Sequence, residues 1–414
     1  MNHPRRVLSL FSGCGGMDIG FEGGFTALTR TVNEDMFPDW VKSRDGDHVT
    51  LTETGFATVF ANDIKPDTKV MWEKYRKSRN LPTENANGSP IYHVGSVVDL
   101  VKRHKAGEKV FPDDIDVVTG GFPCQDFSVA GKRSGFSSRR SHDGTTSDAP
   151  TSENRGQLYM WMREVIGITL PKVFVAENVK GLMSLRDVKD IIEKDFSTVG
   201  PGYLVVPARV LHAADYGVPQ TRERVIFFGF RRDALTDVAV RELSASVICP
   251  AYDPYPQVTH RSGDGVDSAV SAVEAMVGLP EPDDSTDMSQ RAVSRAKYRP
   301  GTQGNVEISA VAPGPTIRAE HHGNIEFRRL SGDNGGKHTA ELGAGLPQRR
   351  LTVRECARIQ TFPDDYVFVS AAEGEFPAIS ATKAYTAIGN AVPPLLAYAI
   401  ARRLDSVWDM YFGV

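Results

Sequence analysis

Four short apolar runs in the first 180 residues each end on side chains that can do chemistry, and this repetition constrains the fold more than any other feature. Residues 6–11 lead into the turn Ser12-Gly13-Cys14-Gly15-Gly16, and residues 57–61 end near Asp63. Residues 115–120 run into Phe122-Pro123-Cys124, and residues 173–179 carry Glu177-Asn178. Short runs that are apolar on both faces read as buried strands of a parallel sheet. Helical patterns fill the stretches between them, and residues 224–230 make the last clear run, so βαβ units extend to about residue 235. Ligands in open α/β sheets bind outside the carboxyl ends of the strands. A lone cysteine is ordinarily packing, but a cysteine and a glutamate at two such ends form a constellation.

The rest of the chain is organised differently. Residues 26–55 and 137–154 look inserted, and the second is Ser/Thr-rich and polar, of the kind that forms functional or mobile loops. Residues 236–345 lose the βα rhythm and gain Gly and Pro, which predicts a second, smaller domain. Helical periodicity returns at 352–359 and 394–401. In these 414 residues no run of 18 apolar positions exists, and the N-terminus has no signal-peptide pattern. The four cysteines, Cys14, Cys124, Cys249 and Cys356, lack CxxC spacing, which argues against zinc and a disulfide framework and for a reduced cytosolic setting. A net charge of −4 does not suit a protein that coats nucleic acid, yet local charge decides binding. Basic residues cluster at Lys132, Arg133, Arg139 and Arg140, and again at Arg318, Arg328, Arg329, Arg349, Arg350, Arg354 and Arg358. Such clusters are ordinarily solvated faces; their position beside the candidate site favours a nucleic-acid partner.

The glycine turn after the first strand lets a ligand approach the backbone. It is not the dinucleotide fingerprint, whose third glycine is replaced by Asp18. With Asp63 placed to bond a ribose, the pattern suggests an adenosine-containing cofactor without a pyrophosphate, such as S-adenosylmethionine.

These residues, in this order, resemble the cytosine-5 DNA methyltransferases, above all the bacterial enzymes of restriction-modification systems. Phe11-Ser12-Gly13-Cys14-Gly15-Gly16 resembles the family's cofactor loop, Pro123-Cys124-Gln125 its nucleophile motif, and Glu177-Asn178-Val179 its acid motif. Gln220-Thr221-Arg222-Glu223-Arg224 is similar to its arginine motif. Residues 349–360 resemble the helix packed on the recognition domain, and Gly389-Asn390-Ala391-Val392-Pro393 the motif that returns to the cofactor pocket. The resemblance implies a Rossmann-like methyltransferase fold with a mixed, mostly parallel sheet over residues 1–235. It further implies an irregular, β-rich target recognition domain over 236–345 and a returning segment over 346–414. The implied cofactor contacts are Phe11, Ser12, Gly13, Cys14, Gly15, Gly16, Asp63, Ile64, Ser96, Val97, Pro123, Leu158, Asn390 and Ala391. Ser96 stands where the family often has an aspartate, and Ile64 where it often has an apolar residue against the adenine.

The implied chemistry is methylation of carbon 5 of cytosine in double-stranded DNA. Cytosine C5 is a poor nucleophile until a thiolate adds to C6. A free thiol of pKa ~8.5 is only a few per cent thiolate at neutral pH, so Cys124 needs an activating turn and a nearby cation such as Arg224. Glu177 would protonate or polarise N3, Arg224 would bind O2, and Asn178 and Arg222 complete the implied catalytic group. The base must leave the stack, at a few kcal/mol. Gln125, Ser128, Lys132 and Arg133 lie on what resembles the family's mobile loop, with Arg155-Gly156 as its far hinge. Gly301-Thr302-Gln303-Gly304 and Pro315-Thr316-Ile317 resemble its two recognition-loop signatures. Gln303 would fill the hole left by the flipped base, Gly304 would supply the turn, and Thr316 and Arg318, with His321, His322 and Asn324, are further candidate DNA contacts. No metal is implied.

Two other readings stay open on the sequence: a tRNA-acting methyltransferase of the same branch, which lacks a long recognition domain, and a catalytically dead DNA-binding relative, which would have lost Cys124 or Glu177.

Overall fold

A computed structural model describes residues 3–123, 158–184, 187–261, 266–319 and 325–413. At its centre is a sheet of seven strands: β1 (Arg5–Leu10), β2 (Phe56–Asp63), β3 (Tyr92–Val94), β4 (Val117–Gly121), β5 (Val173–Val179), β6 (Tyr203–His212) and β7 (Glu223–Arg231). Their spatial order is β3-β2-β1-β4-β5-β7-β6. The pairs from β3 through β5 are parallel, and β7 is antiparallel to both neighbours. The sheet is therefore mixed and mostly parallel, as the resemblance implied. Strand addition reverses at β1, where β4 lies on the side away from β2, so the crevice outside the ends of β1 and β4 is a topological switch point. Because β7 runs backwards, its first residues arrive at that same edge, beside the ends of β4 and β5.

Helices of seven residues or more are α1 (Gly16–Glu22), α2 (Pro66–Ser78), α3 (Val97–Lys105), α4 (Leu158–Thr169), α5 (Val188–Ser197), α6 (Asp237–Leu243), α7 (Val353–Ile359), α8 (Ala381–Asn390) and α9 (Pro394–Phe412). Proline opens α2 and α9 at a position where no N–H is needed. Ser96 caps α3, and Thr352 with Glu355 forms a capping box on α7. Alternate strand residues feed opposite layers. Val7, Val117, Val173 and Val175 join the core under α1 and α9, while Leu8, Val118, Phe174 and Ala176 join the core under α3, α4 and α5. Gly20 permits the close α1–α9 crossing, since a Cβ there would lie 2.4 Å from the Ala397 side chain.

The apolar pattern does not announce β6, which contains Pro207. The sheet accepts that proline because β6 is an edge strand whose register with β7 shifts between Ile226 and Phe228. The inserted residues 26–55 form a small antiparallel sheet of Thr26–Leu28, His48–Leu51 and Val41–Asp45. It is anchored on α9 by Phe25 and Trp40, both edge-on to Tyr398.

The region after β7 departs from expectation in two ways. First, its opening residues stay on the sheet: the Tyr255 hydroxyl donates to Ile226 O at 2.8 Å, and α6 packs beneath α9. Second, it is irregular but not β-rich. Among the described residues of 236–345 its regular strand is Phe327–Arg329, paired with Arg349–Arg350. The arginines read as a solvated or DNA-facing cluster are its internal frame. Arg328, Arg329, Arg350, Arg354 and Arg358 are buried. Arg329 and Arg349 share Glu281 at 2.7 and 2.9 Å, Arg349 also pairs with Glu355 at 2.8 Å, and Arg354 and Arg358 pair with Asp287 and Asp364 at 2.7 and 2.6 Å. Burial opposes ionisation of Glu281, but the hydrogen bonds from Arg349 and Arg329 outweigh it and hold the carboxyl down at about 2. Arg350 donates to Ala296 O, Gly304 O and Lys297 O at 2.7, 2.8 and 3.1 Å, and also to Ile325 O.

Candidate active site

The carboxyl edge of the sheet opens into a cavity of about 540 Å³. From the β1 turn it is lined by Phe11, Ser12 and Gly13; from β2 by Asn62, Asp63 and Ile64; and from β3 by Gly95, Ser96 and Val97. Gly121, Phe122, Pro123, Leu158, Glu177, Arg222 and Arg224 close one side, and Thr382, Lys383, Thr386, Asn390 and Ala391 the other.

The acid end is set by strand register. Arg224 pairs with Val179, two residues along β5 from Glu177, so Arg224 and Glu177 share a sheet face as diagonal neighbours. Their side chains meet, Arg224 Nε to Glu177 Oε1, at 2.7 Å. On the other side Gly121 pairs with Glu177 in parallel register. A Cβ on Gly121 would come 2.8 Å from Glu177 Oε2, so this glycine makes room for the carboxylate. Asn178 turns inward, and its amide donates to Phe122 O at 3.2 Å while its carbonyl accepts from Val179 N–H at 2.8 Å. That bond fixes the residue before Pro123. Cys124, Gln125, Ser128, Lys132 and Arg133 lie outside the described residues, as do His321, His322 and Asn324.

The glycine turn splits into two halves. Phe11 is a non-glycine residue at φ 54, a backbone state found at functional sites, and Gly13 at φ 54 has open space where a Cβ would stand. Gly13 N–H donates to Asp63 Oδ2 at 3.1 Å and Lys65 N–H to Asp63 Oδ1 at 2.9 Å. Burial pushes the Asp63 carboxyl up despite these bonds. Cys14, Gly15 and Gly16, expected among the cofactor contacts, face away from the cavity. Cys14 is buried with its thiol toward Ala387 O, and burial pushes that thiol far up, so it is inert packing. Gly15 abuts Trp72 and Gly16 abuts Val392 O, where a Cβ would come within 2.5 and 2.2 Å. Ser96 lines the cavity, but its oxygen accepts from Val98 N–H at 3.2 Å as a helix cap.

Arg222, expected in the catalytic group, is a buried clamp. It donates to Ile317 O at 3.1 Å and to Gly389 O at 3.0 Å, joining the second recognition signature to the end of α8. Gly389 itself lies where a Cβ would strike the Arg318 carbonyl carbon at 2.2 Å. The Thr316 hydroxyl donates to Thr221 O at 3.2 Å, and Arg318 bridges Glu326 at 3.2 Å. Gln303 is exposed at the tip of its loop, and Gly304 takes φ 76. Neither of these residues lines the cavity.

Several cavity residues escape sequence reasoning. Thr382 and Thr386 are eight and four residues before Asn390 on α8, a spacing that puts them on one helix face with that expected contact and could have been read. Gly121, a glycine inside a strand, was the readable sign of close approach. Asn62, whose amide holds His93 O and Gly95 O at 2.9 Å each, carried no such signal. Asp18 is not part of the cavity lining: it is buried, accepts from Ser9 at 2.5 Å and Trp72 at 2.9 Å, and is pushed up by burial to about 6.

A mixed sheet in this order with its site at the strand ends is a Rossmann-like fold of the methyltransferase type. The crystal structure of the Dnmt2 methyltransferase of S. pombe superposes with a TM-score of 0.53 at 16% identity, covering 97% of this chain and 98% of that one. The chain belongs to the C-5 cytosine-specific DNA methylase family, whose pattern matches residues 37–406. The Type II methyltransferase M.BspRI of Lysinibacillus sphaericus is 33% identical over 96% of this chain and 81% of its own length. The Type II methyltransferase M.BsuRI of Bacillus subtilis is 29% identical over 95% of this chain and 78% of its own. The protein is thus an enzyme that methylates cytosine C5 in DNA.

Proposed function

We propose that this enzyme is the modification methyltransferase of a restriction-modification system, acting at one short site in double-stranded DNA through a covalent Cys124 adduct on a flipped-out cytosine. The observation that carries the reading is the Glu177–Arg224 pair at the cavity edge, next to the Phe122-Pro123 turn that leads to Cys124. The ends of an incoming cytosine match this pair: a guanidinium for O2 and a carboxyl for N3 and the exocyclic amine. Entry of the base would exchange the ion pair for bonds to the ring, with Glu177 supporting N3 as charge develops there. Cys124 thiolate adds to C6. C5, made nucleophilic, takes a methyl group and then gives up its proton, and the thiolate is expelled.

S-adenosylmethionine suits the cavity. Gly13 leaves a cradle without a side chain, Asp63 and Asn390 offer polar groups, and Ile64 and Val97 offer apolar walls. Phe11, Ser12, Gly13, Asp63, Ile64, Ser96, Val97, Pro123, Leu158, Asn390 and Ala391 would hold it, and it would supply an electrophilic methyl group. Residues 236–345 serve as the recognition domain, its first twenty residues being an anchor on the sheet, and Gln303 fills the vacated place in the stack. A nuclease acting on the same site would need no stable complex with this monomer. No helix among the described residues is long and apolar enough to cross a membrane, and a cytoplasmic site of action follows from the DNA substrate.

The test is trapping. Duplex DNA carrying 5-fluorocytosine at the site located by bisulfite sequencing should give a denaturation-resistant adduct with the wild type and none with Cys124→Ala. An adduct with the variant would remove Cys124 from the mechanism.

A further inference from the structure

The chain is acidic overall, with a net charge of −4, so a DNA-binding surface has to be local. The arginines 328, 329, 349, 350, 354 and 358 do not supply it, because they are committed to internal acids and carbonyls. A different stretch has the opposite character. Residues 288–306 contain four cations, Arg291, Arg295, Lys297 and Arg299, and no acidic residue. All four are exposed, and the residues between the last three, Ala296 and Tyr298, are half-buried. That alternation is the two-residue period of extended chain, so Arg295, Lys297 and Arg299 stand on one side, about 7 Å apart at 3.3 Å per residue. Among the described residues none of the four makes an ion pair or a side-chain hydrogen bond.

The segment is not loose. Val293 bridges Thr352, the carbonyls of Ala296 and Lys297 accept from buried Arg350, and Tyr298 stands edge-on to Phe327. It runs straight into the turn in which Arg299 N–H donates to Asn305 and Thr302 donates to Arg299 O, the turn that presents exposed Gln303. A rigid row of unpaired cations leading to the recognition tip fits one ligand chemistry, a run of phosphodiesters.

We infer that Arg295, Lys297 and Arg299, with Arg291 behind them, form a rail for one strand of the DNA backbone that sets the register of Gln303 without reading bases. The inference rests on the DNA-methylating reading above. Contacts of this kind position a protein and carry no sequence information. Each phosphate neutralised should contribute about 0.9 to the slope of log K against log salt.

The experiment measures anisotropy of a fluorescent duplex over a salt series, once with the methylated site and once with scrambled sequence. For Arg295→Gln/Lys297→Gln/Arg299→Gln the slope should fall by about 2–3, and both duplexes should weaken by the same factor. A charge-keeping Arg295→Lys/Arg299→Lys variant should retain the wild-type slope, and both variants should keep the wild-type melting temperature and affinity for S-adenosylhomocysteine. An unchanged slope in the triple variant overturns the rail, and so does a loss confined to the cognate duplex, which would make these residues base readers. Failure of the wild type to bind either duplex would instead sink the reading on which the rail depends.

Discussion

At the carboxyl edge of the sheet, side chains stand where the strand ladder puts them. Glu177, Gly121 and Arg224 meet because three adjacent strands share a register. Among the described residues from 287 to 350 there is almost no ladder, and loops stand where buried guanidinium groups hold their carbonyls. Arg350 alone ties Ala296, Lys297, Gly304 and Ile325. The first device fixes reacting groups through the backbone and leaves their side chains replaceable. The second concentrates the fold of a whole region in a few side chains, and leaves loop sequence free to vary around them.

The sharpest way to test this difference is to change chemistry without touching the frame. Glu177→Gln keeps the shape and can still accept from Arg224. Turnover should fall at least ~10²-fold, the low end for a positioned acid-base group, while the urea unfolding midpoint barely moves. Near-normal kcat would remove Glu177 from the chemistry; a collapsed midpoint would show that the edge depends on its side chains as much as the recognition region does.

The converse change attacks the frame. Arg350→Leu strands four carbonyls, those of Gly304 and Ile325 fully buried, and each buried acceptor left unsatisfied costs about 1–3 kcal/mol. Hydrogen exchange should quicken across residues 296–305, and discrimination between cognate and scrambled duplex should drop, with S-adenosylhomocysteine still bound. Gln303→Ala, at the exposed tip of the same turn, should lose on the order of 1–3 kcal/mol of discrimination and no stability. Equal effects of the two substitutions on exchange would mean that the loop is not held from Arg350.

The same contrast explains what the sequence disclosed. The sheet was legible because parallel strands buried on both faces must be apolar runs, and because their ends carry Gly, Asp, Cys or Glu. β6 was hidden by Pro207, which only an edge position tolerates. Cys14, Gly15 and Gly16 follow Gly13 in one motif, yet a turn of alternating handedness leaves Ser12 and Gly13 on the cavity and packs the next three residues into the core. The arginine-rich last quarter was misjudged for a deeper reason. Charge in sequence says nothing of burial, and the partners Glu281, Asp287 and Glu341 lie 12 to 68 residues from the arginines they hold, with no period to link them. Arg222 looked catalytic from its place beside Arg224, yet just before β7 begins its guanidinium reaches Ile317 and Gly389.

The smallest expected effect separates the two regions by pH. In the catalytic half, burial lifts Asp18 from an ordinary 3.8 to about 6, so between those values the folded protein keeps a proton that the unfolded chain has released. Stability contributed there falls as pH rises from about 4 to 6 and is level above that. In the recognition region Glu281 drops from an ordinary 4.5 to about 2, so the unfolded chain takes up the proton first. Its contribution is present above pH 4.5 and is lost as pH falls toward about 2. Asp18→Asn removes the first dependence and keeps a carbonyl for Trp72 and an amide that can donate to Ser9. Its urea midpoint at pH 7 should equal or exceed that of the wild type, and its profile should flatten between pH 4 and 6. Glu281→Gln should leave that upper window unchanged and lose the acid-side decline, at the expense of a lower midpoint at neutral pH. An Asp18→Asn profile that tracks the wild type through pH 4 to 6 would show that the buried carboxylate in the catalytic half is as fully ionised as the arginine-held one, and the electrostatic distinction between the two regions would fall.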